Sequence, residues 1–206
     1  MSQFFHIHPD NPQGRLISQA AAIVKNGGVV VYPTDSGYAI GCAIGDKKAM
    51  DRIIAIRNVD KNHNFTLVCR DLSEIATFAR VDNAAFRAIR AATPGPYTFI
   101  FKGTKEVPKR VLNDKRKTIG IRVPNNKIAL DLLMELGEPL MSSSLLLPGD
   151  EFAESDPDEI RQRLEKQVDL VIHGGYLGEK PTSVIDFSEG ESNIIRYGEG
   201  DTSQFE

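Results

Sequence analysis

The sequence has no apolar run long enough to cross a bilayer, which sets a membrane-spanning protein aside. Its first residues, MSQFFHIHPDNPQ, carry no basic segment and no long apolar stretch, so no signal peptide is expected. Cysteine is scarce: Cys42 and Cys69 are the only two, each in an apolar run and neither in a CxxC pair. Buried free thiols in a reducing compartment fit that usage, and a cytoplasmic location is expected. Neither sign of charge dominates, since 25 Lys and Arg face 28 Asp and Glu for a net −3. Bulk charge therefore does not announce a nucleic-acid binder. There is no GxxxxGK[ST] phosphate loop, no GxGxxG opening a helix after a strand, and no GxSxG elbow. Histidine is also sparse. His6 and His8 form an HxH pair, but no further Cys or His lies close in sequence to complete a metal set. His63 and His173 show no Ser or Cys partner at motif spacing.

What remains is hydroxyls, arginines and glycines near expected strand ends. The stretch Val29 to Cys42, VVVYPTDSGYAIGC, reads as a strand, a turn and a second strand. Pro33 is expected to stop the first ladder, because it has no N–H to donate. Thr34, Asp35 and Ser36 then place two hydroxyls and a carboxylate on the turn, where Gly37 lets the backbone bend. These are ordinary turn residues, and they also suit a ligand site between stiff strands.

Strands and helices alternate along the rest of the chain. A strand is expected over Phe4 to His8, and helical spacing over Leu16 to Val24 ends at Gly27-Gly28. Asp46, Asp71, Asn126 and Asp156 stand where helix N-caps belong, with Pro157 at the first helical position. Asp71 and Glu74 have capping-box spacing. Further strands read over Phe65 to Cys69, Tyr97 to Phe101, Ile119 to Val123, Pro139 to Ser144, Asp169 to Ile172, Ser183 to Phe187 and Asn193 to Tyr197. The fold class is therefore mixed α/β, a mixed sheet with helices packed on it. No linker separates two cores, so residues 1–206 are expected to form one domain.

Charge is segregated along the chain. Lys102 to Lys117 holds seven basic and two acidic residues, a net +5, whereas Asp150 to Glu159 holds six acids and no base. The basic segment, with Lys109, Arg110, Lys115, Arg116 and Lys117, is expected to face a polyanion such as double-stranded RNA. The acidic one reads as a solubilising face.

Five segments then come in an order that resembles the YrdC-like family, and its YciO branch in particular. They are YPTDSGYAIG (Tyr32 to Gly41), TPGPYTFIF (Thr93 to Phe101), IGIRVPN (Ile119 to Asn125), PTSVIDF (Pro181 to Phe187) and IIRYG (Ile194 to Gly198). The resemblance implies an open, twisted mixed sheet flanked by helices, with a concave basic cleft. The family's best-understood members are threonylcarbamoyl-AMP synthases. These join L-threonine, bicarbonate and ATP for a tRNA modification, and other members are described as binding double-stranded RNA in the cleft. By resemblance Thr34, Ser36, Thr98, Arg122 and Thr182 hold the small substrate, with Thr182 where the family usually has Ser. Arg57, Thr118, Ser144 and Arg196 face the nucleotide.

Two departures set this chain apart. The synthases carry Lys-x-Arg where this chain has Arg57-Asn58-Val59. They carry Ser-x-Asn where it has Ser144-Leu145-Leu146. A guanidinium and an amide that would steady a moving triphosphate are thereby lost. The expectation is a protein that binds nucleotide and double-stranded or structured RNA in the family cleft and is poor or inactive as a synthase. The alternative is a genuine threonylcarbamoyl-AMP synthase or related nucleotidyltransferase. ATP, with magnesium if bound, is the cofactor expected; no membrane is expected as a partner, and the oligomeric state stays open.

Overall fold

The computed structural model describes residues 2–178 and 180–206. Among these residues ten strands form one mixed sheet in the order β1-β8-β2-β3-β7-β4-β6-β5-β9-β10. The strands are β1 (Gln3–His6), β2 (Val30–Thr34), β3 (Gly37–Ala43), β4 (Thr66–Val68), β5 (Tyr97–Lys102), β6 (Thr118–Arg122), β7 (Leu140–Ser144), β8 (Leu170–His173), β9 (Ser183–Asp186) and β10 (Asn193–Arg196). The helices are α1 (Gly14–Lys25), α2 (Lys47–Arg57), α3 (Leu72–Phe78), α4 (Asn83–Ala92), α5 (Lys127–Leu136) and α6 (Pro157–Leu164).

The expected caps are in place: Asp46, Asp71 and Asn126 each accept from the backbone N–H three residues on, at 2.9–3.1 Å, and Asp156 from the amide two residues on at 2.9 Å. Asp82, not expected from the sequence, caps α4 in the same way at 2.8 Å. The capping box at Asp71 is half formed, because Glu74 reaches past the cap to the amide of Arg70 at 3.0 Å. The first strand is shorter than expected. It ends at His6, and His8 instead accepts from the amides of Asp10 and Asn11 through Nδ1.

Pro33 does not stop its ladder. It lies inside β2, opposite Tyr38 of β3. On the other side of β2, strand β8 pairs only with Val30 and Val31, so Pro33 faces no neighbour there that needs its N–H. The hairpin closes one residue later, with Thr34 opposite Gly37. Gly37 adopts φ +104°, and a Cβ there would sit 3.2 Å from the Gly178 carbonyl oxygen, so both backbone and space favour glycine.

Side-chain alternation sorts the sheet into two apolar layers. Val29, Val31, Ile40 and Cys42 point into the core shared with Ile53 of α2, Ile75 of α3, Ile89 of α4 and Ile160 of α6. Val30, Tyr32, Ala39, Leu140, Leu170 and Ile172 point the other way, against Ile17, Ala21 and Val24 of α1 and Ile128, Leu132 and Leu133 of α5. Both cysteines are buried free thiols, and burial pushes Cys42 up to about 12. The second layer covers one side of the sheet over β8, β2, β3 and β7. Beyond it, over β4, β6, β5 and β9, that side carries Thr66, Arg122, Thr98 and Val184, which line an open cleft. Gly120 keeps the cleft floor low, since a Cβ there would lie 3.2 Å from Thr98 Cγ2 and 3.6 Å from Thr66 Oγ1.

Candidate functional site

The cleft encloses about 360 Å³, within the range of small-molecule sites. Three hydrogen-bonded groups meet in it. The first comes from the β2–β3 hairpin. Arg122, at the end of β6, donates Nη2 to Asp35 and Nη1 to Ser36 Oγ at 2.7 Å. Asp35 Oδ2 also accepts from the Asn125 amide at 2.7 Å. Thr34 Oγ1 accepts from the Ser36 amide at 3.0 Å and donates to the Gly37 carbonyl at 2.6 Å, which stiffens the turn. The Arg122–Asp35 pair is buried, with side chains 8% and 12% exposed. Burial lowers the Arg122 pKa, and the Asp35 charge opposes that shift. Among the described residues, Arg122 Nε is the one buried side-chain nitrogen or oxygen atom without a hydrogen-bond partner.

The second group joins β5, β9 and β10. Thr98 Oγ1 lies 2.8 Å from Thr182 Oγ1. Arg196 donates Nη2 to that same hydroxyl and Nε to the Thr182 carbonyl, both at 2.9 Å. Thr182 is buried, whereas Arg196 sits at the exposed rim.

The third group was not visible in the sequence. Arg57, the last residue of α2, donates Nη1 to Ser143 Oγ and, at 3.1 Å, to His63 Nε2, and its Nε donates to the Leu146 carbonyl at 3.1 Å. His63 Nε2 also lies 2.9 Å from Ser143 Oγ. His63 therefore has a Ser partner after all, eighty positions away, brought alongside by the antiparallel β4–β7 pairing that places Thr66, three residues after His63, opposite Ser142. Burial lowers the pKa of His63, the Arg57 charge adds to that, and Asp60 opposes both. Deeper in, Tyr32 Oη and Ser142 Oγ are 2.6 Å apart, and burial raises the tyrosine to about 12.

The cleft thus gathers Thr34, Ser36, Arg57, Thr98, Arg122, Ser144, Thr182 and Arg196, all named from the sequence as candidate site residues. Thr118 is not among its lining. It sits at the opposite end of β6 from Arg122, paired with Lys102 rather than with the Thr98 end of β5. Val59 does not line the cleft either, whereas Leu146 does. Residues that sequence reasoning missed include His63, Ser143 and the rim residues Glu151 and Phe152.

The basic segment lies away from this cleft. Strands β5 and β6 run antiparallel, so the loop joining Lys102 to Thr118 leaves from the end opposite Thr98 and Arg122. Three of its cations are engaged: Lys102 with Glu189 at 4.0 Å, Arg110 with Asp51, and Arg116 with Asp186 at 2.7 Å and Glu189 at 3.7 Å. Lys109, Lys115 and Lys117 are exposed, as is Lys105. The HxH pair is split, since His6 stacks on His173 with ring centroids 4.6 Å apart while His8 closes its own turn. No helix among the described residues is long and apolar enough to cross a membrane.

Comparison with known proteins agrees with this geometry. The Sua5/YciO/YrdC family model, described as "Telomere recombination", matches residues 22–198. An uncharacterized protein, YciO of Escherichia coli, is 65% identical over 205 residues, covering all of both chains, and its crystal structure superposes with a TM-score of 0.96. An uncharacterized protein of Haemophilus influenzae is 64% identical, again over the whole of both chains. The structure of P. abyssi Sua5 complexed with L-threonine shares the fold at a TM-score of 0.88 and 20% identity, over 96% of this chain and 58% of that one. The chain belongs to the Sua5/YciO/YrdC family and is related to the threonylcarbamoyl-AMP synthases.

Proposed function

We propose that the cleft binds a nucleotide together with a small carboxylate, and that the chain is a weak or inactive threonylcarbamoyl-AMP synthase. The observation that carries this reading is the pair Arg57 and Arg196. Both line the cleft, and burial lowers both guanidiniums. Neither has a carboxylate within ion-pair distance among the described residues, whereas Arg122 has Asp35. Partly buried positive charge is costly unless it is paired, so a phosphate on the half-buried Arg57 relieves that cost, while Arg196 offers a second guanidinium at the exposed rim. The hydroxyls of Thr34, Ser36, Thr98 and Thr182 suit the polar end of a small amino acid, which the L-threonine complex of P. abyssi Sua5 supports as the ligand class. ATP, with magnesium, is the nucleotide this reading expects.

Reduced catalysis follows from the cleft wall. Leu146 presents an alkyl side chain where the synthases carry an amide, and Arg57 is already committed to Ser143, His63 and the Leu146 carbonyl. Loss of one preorganised donor at developing charge costs about a hundredfold or more in rate. Titrating the protein with ATP, then following pyrophosphate release from ATP with and without L-threonine and bicarbonate, tests both halves. The expected result is saturable ATP binding with slow release. No ATP binding removes the nucleotide reading, and release at an ordinary synthase rate replaces it with that of a genuine synthase.

Double-stranded RNA is a second reading, favoured by the four exposed lysines of the Lys102–Lys117 segment. A cleft of about 360 Å³ suits a small molecule rather than a duplex, so this reading places RNA on that loop and not in the cleft.

A further inference from the structure

The Arg57–His63–Ser143 group constrains its own protonation. A guanidinium can only donate, so the His63 Nε2 that lies 3.1 Å from Arg57 Nη1 must present a lone pair. His63 is then a neutral imidazole with its proton on Nδ1. Adding a proton at Nε2 sets two donors against each other, and Arg57 has to turn away from the ring. Ser143 Oγ, 2.9 Å from Nε2, is one acceptor for the new N–H, and it already accepts from Arg57. The group is therefore short of acceptors as soon as His63 is charged, and a phosphoryl oxygen supplies them.

We propose that Arg57, His63 and Ser143 form a proton-coupled phosphate subsite: a phosphoryl oxygen binds there with uptake of one solvent proton at His63 Nε2, which turns the imidazole from an acceptor into a second donor to the anion. No bond between heavy atoms is made or broken. This rests on the reading that the cleft takes a phosphorylated ligand, and it names which side chains meet that group.

The charges around His63 set the direction. Arg57 approaches it from the end of α2, Asp60 from the turn that follows, Ser143 from β7, and the Phe65 ring stands edge-on at 5.5 Å between centroids. Arg122, Arg196 and Glu151 are the other charged residues that line the cleft. Without an anion, burial and Arg57 hold the imidazole below its usual value of 6.5, against a smaller upward pull from Asp60. An anion on Arg57 cancels that repulsion and adds its own attraction, so the value rises in the complex. By linkage, affinity then increases as the pH falls through the bound-state value and levels off below the free-state one. At its steepest a single coupled proton gives about tenfold per pH unit.

The test uses ATP and inorganic sulfate, whose charge does not change between about pH 5 and 9, as the second anion. Calorimetric titrations of both are run from about pH 8 down to 5.5 in buffers of different ionisation enthalpy, for the wild type and for His63→Gln. The glutamine carbonyl still accepts from Arg57 but does not titrate. The expected result is proton uptake and rising affinity for both anions in the wild type, with the His63-dependent slope and uptake lost in H63Q. Ring NMR of the wild type gives an independent readout that needs no variant: the His63 midpoint should move up when sulfate is added. If ATP binds but the sulfate affinity is flat with pH, or H63Q keeps the slope, or the His63 midpoint stays put, the subsite is overturned and the nucleotide reading survives. If neither anion binds at any pH, both fail.

Discussion

The Arg122–Asp35 pair is the most exposed point of the cleft's energetics to a single substitution. Asp35→Ala removes the carboxylate paired with a guanidinium whose side chain is 8% exposed, and it also leaves the Asn125 amide without its 2.7 Å acceptor. Arg122 would keep only Ser36 as a partner, and its Nε already has none. Breaking a buried pair by removing one member costs about 3–5 kcal/mol, because the remaining charge stays buried without compensation. For a chain of this size that corresponds to a fall in Tm of roughly 6–20 °C, at about 2–4 °C per kcal/mol. Replacing both partners, Asp35→Ala with Arg122→Met, should return much of the loss, since a well-packed apolar residue needs no counter-ion. The double variant should nonetheless bind the carboxylate-bearing ligand no better than the single one. Urea unfolding of wild type, single and double variants, with the slope m held equal, measures each step. If Asp35→Ala lies within about 1 kcal/mol of the wild type, or the double variant is less stable than the single, the pair is not the buried, mutually dependent unit described here.

Three further outcomes are expected. Leu146→Asn, which returns an amide to the cleft wall, should speed pyrophosphate release, whereas Val59→Arg alone should leave it nearly unchanged because Val59 does not line the cleft; release rates of the two variants side by side decide this. Changing Lys109, Lys115 and Lys117 together to Glu should weaken any binding of an RNA duplex and flatten its salt dependence while leaving ATP affinity intact, read by titrations at two salt concentrations. Tyr32 and Tyr38 are both raised to about 12 by burial, so their ionisation followed at 295 nm should trail that of exposed tyrosines, and stability should fall as the pH climbs from the ordinary value of 10 towards 12, where the unfolded chain has already lost those protons.

Local rules made much of the fold legible. The two apolar runs either side of the Thr34–Gly37 turn and the helix caps at Asp46, Asp71 and Asn126 depend on neighbours a few positions away, and the structure holds them close to where they were expected. The same locality explains the misses. Pro33 reads as a strand stop by its missing N–H, but whether that N–H is needed depends on how far β8 extends, which is a property of a strand 140 residues away. The basic segment is expected to face RNA and the resemblance puts RNA in the cleft, yet although Thr98 and Arg122 flank the segment in sequence, an antiparallel pair carries such a loop to the far end of the hairpin.

The sequence by itself determined the residue types of the site: hydroxyls on the Thr34–Ser36 turn, guanidiniums at Arg57, Arg122 and Arg196, and five ordered segments that placed the chain in its family. Their chemistry is intrinsic to the side chains, so no contact was needed to see it. Only the tertiary structure decided which of them act together. It paired Arg122 with Asp35 and not with solvent, left Arg57 and Arg196 without a carboxylate among the described residues, removed Thr118 from the cleft and brought His63 to Ser143. Those outcomes are set by strand order and register, through which residues some eighty positions apart come within 3 Å, and no short-range pattern in the chain encodes a distance of that kind.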